Sequence, residues 1–213
     1  PVGKCDHDSD DEKTEHVQMF DRMVELAHAF DTTVIRGFSL WNPRIKAENL
    51  ERYNSNKYRP DLNLYLDTIA EFLAPIVKKA SAEGVTFSLE NEGATMAGSC
   101  EEARRVADAV DQLAGAPAGF TFCWDVVNGA HCGEPHFPNG YAQLKGRVTH
   151  LHVKPNKNDD IFPIMGSEDG SYGDIIRTLE ADGYTGCASV EHWGAPDLML
   201  KGIRQLREVL DSI

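Results

Sequence analysis

The sequence has no apolar run that approaches the ~20 residues a membrane-spanning helix needs. No signal-peptide pattern opens it either, and these two absences predict a cytoplasmic protein without a membrane partner. Basic residues are few, because 21 Lys and Arg stand against 34 Asp and Glu, for a formal net charge of -13. That balance argues against a nucleic-acid partner, since such proteins carry a basic face that neutralises phosphates.

Cysteine is scarce and unpatterned. The five cysteines are odd in number, widely spread and free of any C-x-x-C motif. This pattern argues against a disulfide framework or a zinc knuckle and favours free thiols in a reducing compartment. The 213 residues suffice for a sizeable core, and we predict a single domain over 1–213.

Amphipathic helices alternate with short strand-like runs along the chain. This alternation predicts βα units around a parallel sheet, either doubly wound or closed as a (β/α) barrel. A long loop with room for one helical turn is predicted over 41–60, and a Gly/Pro-rich loop over 128–139. Strands are predicted at 33–40, 85–90, 120–125, 148–154 and 187–191, and helices near 13–30, 66–84, 100–113, 175–183 and 200–210.

The last four predicted strands each end in a candidate metal ligand. Two positions earlier, on the same strand face, each strand carries a small or polar residue, while its other face is mostly bulky and apolar. A single polar strand end needs no function, because loops are polar. Four polar strand ends on the same face favour a functional site, because barrel enzymes gather catalytic residues at the C-terminal ends of their strands. The four candidates are Glu90, Asp125, His152 and Glu191.

Three carboxylates and one imidazole make a hard, mostly oxygen ligand set. Such a set suits Mn²⁺, Mg²⁺ or Co²⁺, with Zn²⁺ as an alternative. A divalent metal ion would also relieve the repulsion among converging carboxylates. The sequence therefore predicts a divalent metal cofactor.

Four motifs resemble those of the xylose isomerase-like TIM-barrel superfamily, the sugar phosphate isomerase/epimerase group. That group includes ketose 3-epimerases, hydroxypyruvate isomerase, inosose dehydratase and relatives of endonuclease IV. The resemblance spans nearly the whole chain and implies a (β/α)8 TIM barrel that lacks its first three βα units in this sequence, since only five strands are predicted. The motifs are Ser-Leu-Glu-Asn-Glu (88–92), Trp-Asp-Val-Val-Asn (124–128), His-Leu-His-Val-Lys (150–154) and Ser-Val-Glu-His (189–192).

The resemblance also implies roles for individual residues. The four strand-end residues would bind the metal, and the glutamates, Glu90 and Glu191, would form the catalytic acid/base pair. Lys154 matches the lysine of the family's His-x-Lys-Asp motif, although Pro155 replaces the aspartate. Asn128 stands where the epimerases usually have a substrate-binding histidine.

Two further residues are candidate substrate contacts. Arg36 shares a strand face with Val34 and Phe38 and is expected to point into the barrel, with a structural ion pair as the alternative. His131 lies in the predicted Gly/Pro-rich loop, where an ordinary loop residue is the alternative. Lys154 is expected to hold an oxyanion or a phosphate, or else to be a solvated lysine at the rim.

These observations predict a metal-dependent isomerase or epimerase of a small sugar, sugar phosphate or hydroxy-ketone that works through an enediolate. The alternatives are a dehydratase of the inosose dehydratase kind and a catalytically inactive barrel remnant. A phosphodiesterase of the endonuclease IV type is disfavoured by the charge of -13. The expected partner is a small carbohydrate, with a homo-oligomer as a further option.

Overall fold

Five parallel strands form the centre of the fold, and their spatial order β1-β2-β3-β4-β5 follows the chain. The computed structural model describes residues 1–48, 51, 57–116, 119–156, 159–161, 164 and 170–213. All five predicted strands are confirmed, with ends shifted by at most three residues. The strands are β1 (Val34–Gly37), β2 (Thr86–Glu90), β3 (Phe120–Asp125), β4 (Val148–Val153) and β5 (Cys187–Val190).

Helices occupy the connections between the strands. The five predicted helices are confirmed, and α2 is the helical turn expected in the 41–60 loop, of which 49–50 and 52–56 lie outside the described residues. None of the described helices combines the length and apolarity needed to span a membrane. The helices are α1 (Asp10–Ala29), α2 (Pro43–Ala47), α3 (Leu66–Ala82), α4 (Cys100–Ala114), α5 (Val126–His131), α6 (Tyr141–Leu144), α7 (Tyr172–Ala181) and α8 (Pro196–Asp211).

The prediction of a loop over 128–139 was wrong in part. Helix α5 covers its start, and a kinked turn with an extended Phe137 (φ -143°, ψ 134°) spans His136–Gly140. The Asp125 side chain caps α5 by accepting a hydrogen bond of 2.9 Å from the Asn128 N–H. An Asp at the N-cap stabilises a helix by satisfying one of its unpaired N–H groups, so the strand-end carboxylate also starts the next helix.

The outer face of the sheet is apolar and packs against helices, as the alternation predicted. Phe87 and Trp124 are fully buried. The Phe87 ring lies 6.0 Å from that of Phe20 in α1, and Trp124 stacks on Tyr141 of α6 at 5.3 Å. Burying such rings is among the larger hydrophobic contributions in a core. Because this face packs against the helices, the opposite face of each strand points to the other side of the sheet.

The sheet is strongly curled. The Ser88 hydroxyl of β2 lies 3.1 Å from the Thr149 hydroxyl of β4, although β3 stands between these strands. Strands two positions apart in a flat sheet are separated by roughly 9.5 Å. The inner face is therefore concave, and side chains from non-neighbouring strands meet there.

A β-bulge interrupts the alternation of side chains in β4. Strict alternation would place Thr149 on the outer face with Leu151 and Val153, but the register shifts between β3 and β4, so that Phe122 pairs with Val148 and Cys123 with His150. Thr149 is the extra residue of this bulge. Its hydroxyl lies 2.7 Å from the Thr121 hydroxyl on the inner face.

Replacing Thr149 with valine is expected to lower the free energy of unfolding by about 1–2 kcal/mol, because the inward hydroxyls of Ser88 and Thr121 lose their shared partner. Urea unfolding followed by circular dichroism measures the change. Thr14→Val is the matched control, because Thr14 is exposed on α1 and its substitution should be nearly neutral. Equal losses in both variants would contradict the inward hydroxyl cluster.

Candidate functional site

The C-terminal ends of β2, β3, β4 and β5 converge on one point. Glu90 and Asp125 are the last residues of β2 and β3, His152 is the penultimate residue of β4, and Glu191 follows β5 directly. Each offers a ligand atom, and the four atoms all lie within 4.8 Å of one another. The curl of the sheet makes this possible, because β2 and β5 would lie roughly 14 Å apart in a flat sheet.

The imidazole of His152 lies at the centre of this cluster. Its Nδ1 is 3.3 Å from Glu90 Oε1, 3.5 Å from Asp125 Oδ2 and 3.1 Å from Glu191 Oε2. Glu90, Asp125 and His152 are buried, and the Glu191 side chain is 38% exposed. Glu191 is therefore the member of the cluster most open to a small molecule.

The four residues carry buried polar atoms without a well-aligned hydrogen bond. These atoms are Glu90 Oε2, Asp125 Oδ2, His152 Nδ1 and Glu191 Oε2. Each of the three carboxylate oxygens lies within 3.1 Å of a positively charged partner, and a cation shared by the four converging side chains would take the place of those partners. Three carboxylates and one imidazole therefore fit a divalent metal ion of the hard or borderline kind.

In the metal-free cluster, a protonated imidazole and nearby cations balance the negative charges of the carboxylates. Burial alone would lower the pKa of His152, but hydrogen bonds with Asp125, Cys123 and Glu191 raise that pKa far above its usual range. The hydrogen bond from His152 is the main reason that the pKa of Glu191 falls from 4.5 to about 2. A metal ion must displace the His152 proton, so metal affinity is expected to fall as the pH falls.

A buried lysine directly after β4 contacts the cluster. Lys154 Nζ lies 2.7 Å from Asp125 Oδ2, 3.5 Å from Glu191 Oε2 and 3.0 Å from Asn128 Oδ1. Burial would lower the pKa of Lys154, but the charges of Asp125 and Glu191 raise it above its usual value. Lys154 is only 4% exposed, so the alternative of a solvated rim lysine is wrong.

Asn128 bridges two parts of the site. Its Nδ2 donates to the Asn91 carbonyl at 2.8 Å and lies 3.4 Å from Glu90 Oε1, while its Oδ1 accepts from Lys154. Asn91 in turn exchanges two hydrogen bonds of 2.8 Å with the backbone of Asp125. This amide pair ties the end of β2 to the end of β3 and fixes the spacing of their carboxylates.

A cleft of about 620 Å³ opens above the cluster. Arg36 reaches into it from β1 and pairs with Glu90 Oε2 at 3.0 Å through Nη1, so the inward orientation and the ion pair are both present. His131 is also at the wall, and burial followed by the charge of Lys154 lowers its pKa. Six of the eight predicted site residues line the cleft, and Asp125 and His152 contact them: the six are Arg36, Glu90, Asn128, His131, Lys154 and Glu191.

The remaining wall consists of residues outside the eight predicted ones. Lys4, Phe38, Glu92 and Trp193 also line the cleft. Glu92 follows Glu90 by two residues and so continues the inward face of β2, a signal the sequence contained. Trp193 follows Glu191 by two residues and continues the inward face of β5 in the same way.

The N-terminal segment runs beside β1 and brings Lys4 into the cleft. Val2 forms a parallel bridge with Gly37. Gly3 adopts φ +90°, and a Cβ there would lie 2.0 Å from the Phe38 carbonyl oxygen, so only glycine allows this approach. Lys4 Nζ lies 4.2 Å from the centre of the Phe38 ring and 3.7 Å from Glu92 Oε2.

Acid unfolding of the metal-free protein tests the Glu191 environment. Its pKa is lower in the folded state, near 2 against 4.5, so its stabilising effect is present above pH 4.5 and is lost as the pH falls toward 2. In Glu191→Gln, the free energy of unfolding is therefore expected to fall less steeply over that window. Urea unfolding at a series of pH values in EDTA measures this, and parallel curves for both proteins would contradict it.

Similarity to known proteins agrees with this geometry. A family model for the xylose isomerase-like TIM barrel matches residues 3–209. No curated protein matches the sequence significantly.

Among solved structures, the fold is similar to that of a D-tagatose 3-epimerase-like protein, with a TM-score of 0.73 and 16% identity over 99% of this chain and 75% of that chain. The probable 3-DHS dehydratase AsbF of Bacillus anthracis gives a TM-score of 0.69 and 15% identity over 97% of this chain and 74% of that one. A xylose isomerase-like TIM barrel protein of Mycobacterium smegmatis in complex with magnesium gives a TM-score of 0.68 and 19% identity over 95% of this chain and 68% of that one. The predicted barrel fold and family resemblance are confirmed.

Proposed function

The chain belongs to the xylose isomerase-like TIM barrel family, and from that premise we propose that it is a metal-dependent isomerase or epimerase of a small sugar, sugar phosphate or hydroxy-ketone. The observation that carries the proposal is the convergence of Glu90, Asp125, His152 and Glu191 within 4.8 Å, beneath an open cleft. The likeness to a D-tagatose 3-epimerase-like protein supports a carbohydrate substrate. The five free thiols support a reducing, cytoplasmic setting.

Glu90, Asp125, His152 and Glu191 would hold one divalent ion, with Mn²⁺, Mg²⁺ or Co²⁺ favoured and Zn²⁺ as an alternative. When bound, the ion supplies Lewis acidity that makes a C–H bond beside the substrate carbonyl more acidic. Loss of the proton from His152 frees Nδ1 as a ligand. Lys154 keeps the Asp125 carboxylate ionised and oriented, because the two groups are 2.7 Å apart in a buried position.

The two glutamates move the proton. Glu191, the more exposed carboxylate, takes a proton from the carbon beside the carbonyl and leaves an enediolate. Glu90 lies on β2, across the site from β5, and carries a proton when the substrate binds; it gives that proton to the other face of the carbon, which inverts the centre, and exchange with solvent returns both glutamates to their starting forms. Arg36 Nη1 lies 3.0 Å from Glu90 Oε2 and orients this side chain.

Polar residues on the wall would orient the substrate. Asn128 offers an amide between Glu90 and Lys154, and His131 offers a neutral imidazole because its pKa is lowered. Lys154 and Arg36 place positive charge where an enediolate oxygen develops negative charge. These contacts bind hydroxyl groups and exclude water from the reacting carbon.

Solvent deuterium uptake tests the proposal. The Mn²⁺-loaded protein is incubated in D₂O with a panel of ketoses, ketose phosphates and hydroxy-ketones, and NMR follows deuterium at the carbon beside the carbonyl. We expect uptake with at least one substrate that stops when EDTA is added. Absence of uptake across the panel, together with absence of Mn²⁺ binding, would instead indicate an inactive barrel remnant.

A dehydratase is the second candidate, favoured by the structural likeness to the probable 3-DHS dehydratase AsbF. The same base removes the same proton, but hydroxide then leaves from the neighbouring carbon and a double bond remains. Mass spectrometry of the products separates the two reactions, because an epimer keeps the substrate's mass and a dehydration product has lost one water.

A further inference from the structure

A buried thiol lies directly beneath the proposed metal centre. Cys123 precedes Asp125 by two residues on the inner face of β3, is 1% exposed, and pairs with Glu90 across the β2–β3 ladder. Ligand atoms of Glu90, Cys123 and His152 also lie within 4.8 Å of one another. The thiol belongs to a three-residue cluster with one carboxylate, one thiol and one imidazole.

The other two members of this cluster are buried against each other. Glu90 and His152 are 1% and 6% exposed, and His152 Nδ1 lies 3.3 Å from Glu90 Oε1. Carboxylate, thiolate and imidazole are the three ligand types that Zn²⁺ takes in proteins, and three protein ligands leave a fourth position open. Thiolate ligands favour softer ions over Mg²⁺ and Mn²⁺.

We propose that Glu90, Cys123 and His152 form a second, deeper ligand set that captures borderline or soft divalent ions, so that Zn²⁺ and Co²⁺ bind there rather than to the four strand-end residues, which hold Mn²⁺ or Mg²⁺. The metal–sulfur bond forms as the thiol proton leaves to solvent, with no change in oxidation state. Cys123 lies one side-chain layer further from the strand ends than Asp125, about 6.6 Å along β3. The two sets share Glu90 and His152, so an ion in one excludes an ion from the other.

Metal identity would then decide whether the site works. A hard ion takes all four strand-end residues, including Asp125 and Glu191. A soft ion drawn toward Cys123 leaves Asp125 with Lys154, 2.7 Å away, and leaves Glu191 outside the coordination sphere. Zn²⁺ therefore acts as an inhibitor of the Mn²⁺-supported reaction, a consequence that rests on the proposed function, whereas the ligand set itself does not.

Cobalt substitution tests the deeper set directly. Co²⁺ bound to a thiolate gives a sulfur-to-metal charge-transfer absorption in the near ultraviolet, in addition to its visible bands. We expect this absorption with the unmodified chain and with Cys187→Ser, a control because Cys187 is exposed. It should be lost in Cys123→Ser and in Cys123→Ala, while visible Co²⁺ bands remain.

A competition assay gives a second readout. Mn²⁺ is bound first, and its release by Zn²⁺ is followed by electron paramagnetic resonance of free Mn²⁺. Cys123→Ser should need at least about tenfold more Zn²⁺ than the unmodified chain, since even outer-sphere partners contribute that much to metal affinity. Its Mn²⁺ affinity should stay within about twofold.

The outcomes separate this inference from the proposed function. Visible Co²⁺ bands without charge transfer in the unmodified chain would overturn the deeper set and leave the four-residue site intact. Charge transfer that persists in both Cys123 variants would also overturn it. If neither Co²⁺ nor Mn²⁺ binds the unmodified chain, both the deeper set and the proposed function fail.

Discussion

Replacing Glu191 with glutamine is expected to slow solvent deuterium uptake by about 10²- to 10⁴-fold at saturating Mn²⁺, the range typical of a lost general base. Glutamine retains an oxygen that can contact the ion, but it cannot accept a proton. Glu191 is the most exposed of the three carboxylates, and its pKa, lowered to about 2, keeps it ionised at neutral pH. NMR of the exchanging carbon, with and without EDTA, measures the effect.

Glu191→Asp is the informative partner variant. It keeps the charge and proton acceptor but draws the carboxylate back by one methylene, so we expect a loss intermediate between the unmodified chain and Glu191→Gln. Metal content is measured in each sample, because the same side chain is a proposed ligand. Unchanged exchange by metal-loaded Glu191→Gln would remove Glu191 from the acid/base pair.

Replacing Lys154 with methionine is expected to lower the free energy of unfolding of the metal-free protein by about 3–5 kcal/mol, the usual cost of removing one partner of a buried ion pair. Lys154 Nζ lies 2.7 Å from Asp125 Oδ2, and the side chains are 5% and 0% exposed. Methionine matches the stem of lysine but leaves the Asp125 carboxylate buried without its cation. Urea unfolding in EDTA measures the loss.

Two controls define the origin of that loss. Lys145→Met breaks an ion pair of 2.9 Å with Asp182, but the Lys145 side chain is 61% exposed, so we expect less than about 1 kcal/mol. Combining Lys154→Met with Asp125→Asn removes both charges and should recover part of the stability. A double variant as unstable as the sum of its parts would show that the pair is not coupled.

Much of the site was predictable because it follows a short-range rule. Side chains alternate along a strand, so Glu90, Asp125 and Glu191 share a face with the small residues two positions before them. Parallel strands end at one edge, which brings such residues together. No long-range information was needed for this step, and the described structure places these side chains in one cluster.

The parts that were missed depend on tertiary contacts. The bulge at Thr149 is not evident from the sequence, because Thr149, Leu151 and Val153 fit an unbroken alternation. The burial of Lys154 follows from its contacts with Asp125 and Asn128 on other elements. Lys4 enters the cleft only because the N-terminal segment pairs with β1, which alternation within one strand does not reveal.

A calorimetric titration with Mn²⁺ tests the central claim most directly, on the unmodified chain, Glu90→Gln and Glu92→Gln. Glu92 lines the same cleft but lies outside the four-atom cluster, so its variant is the matched control. We predict one-to-one binding by the unmodified chain and by Glu92→Gln, and affinity weakened by more than about 100-fold in Glu90→Gln, beyond the cost of an outer-sphere partner. Undiminished binding by Glu90→Gln, or no binding by the unmodified chain, would contradict a metal centre at the strand ends.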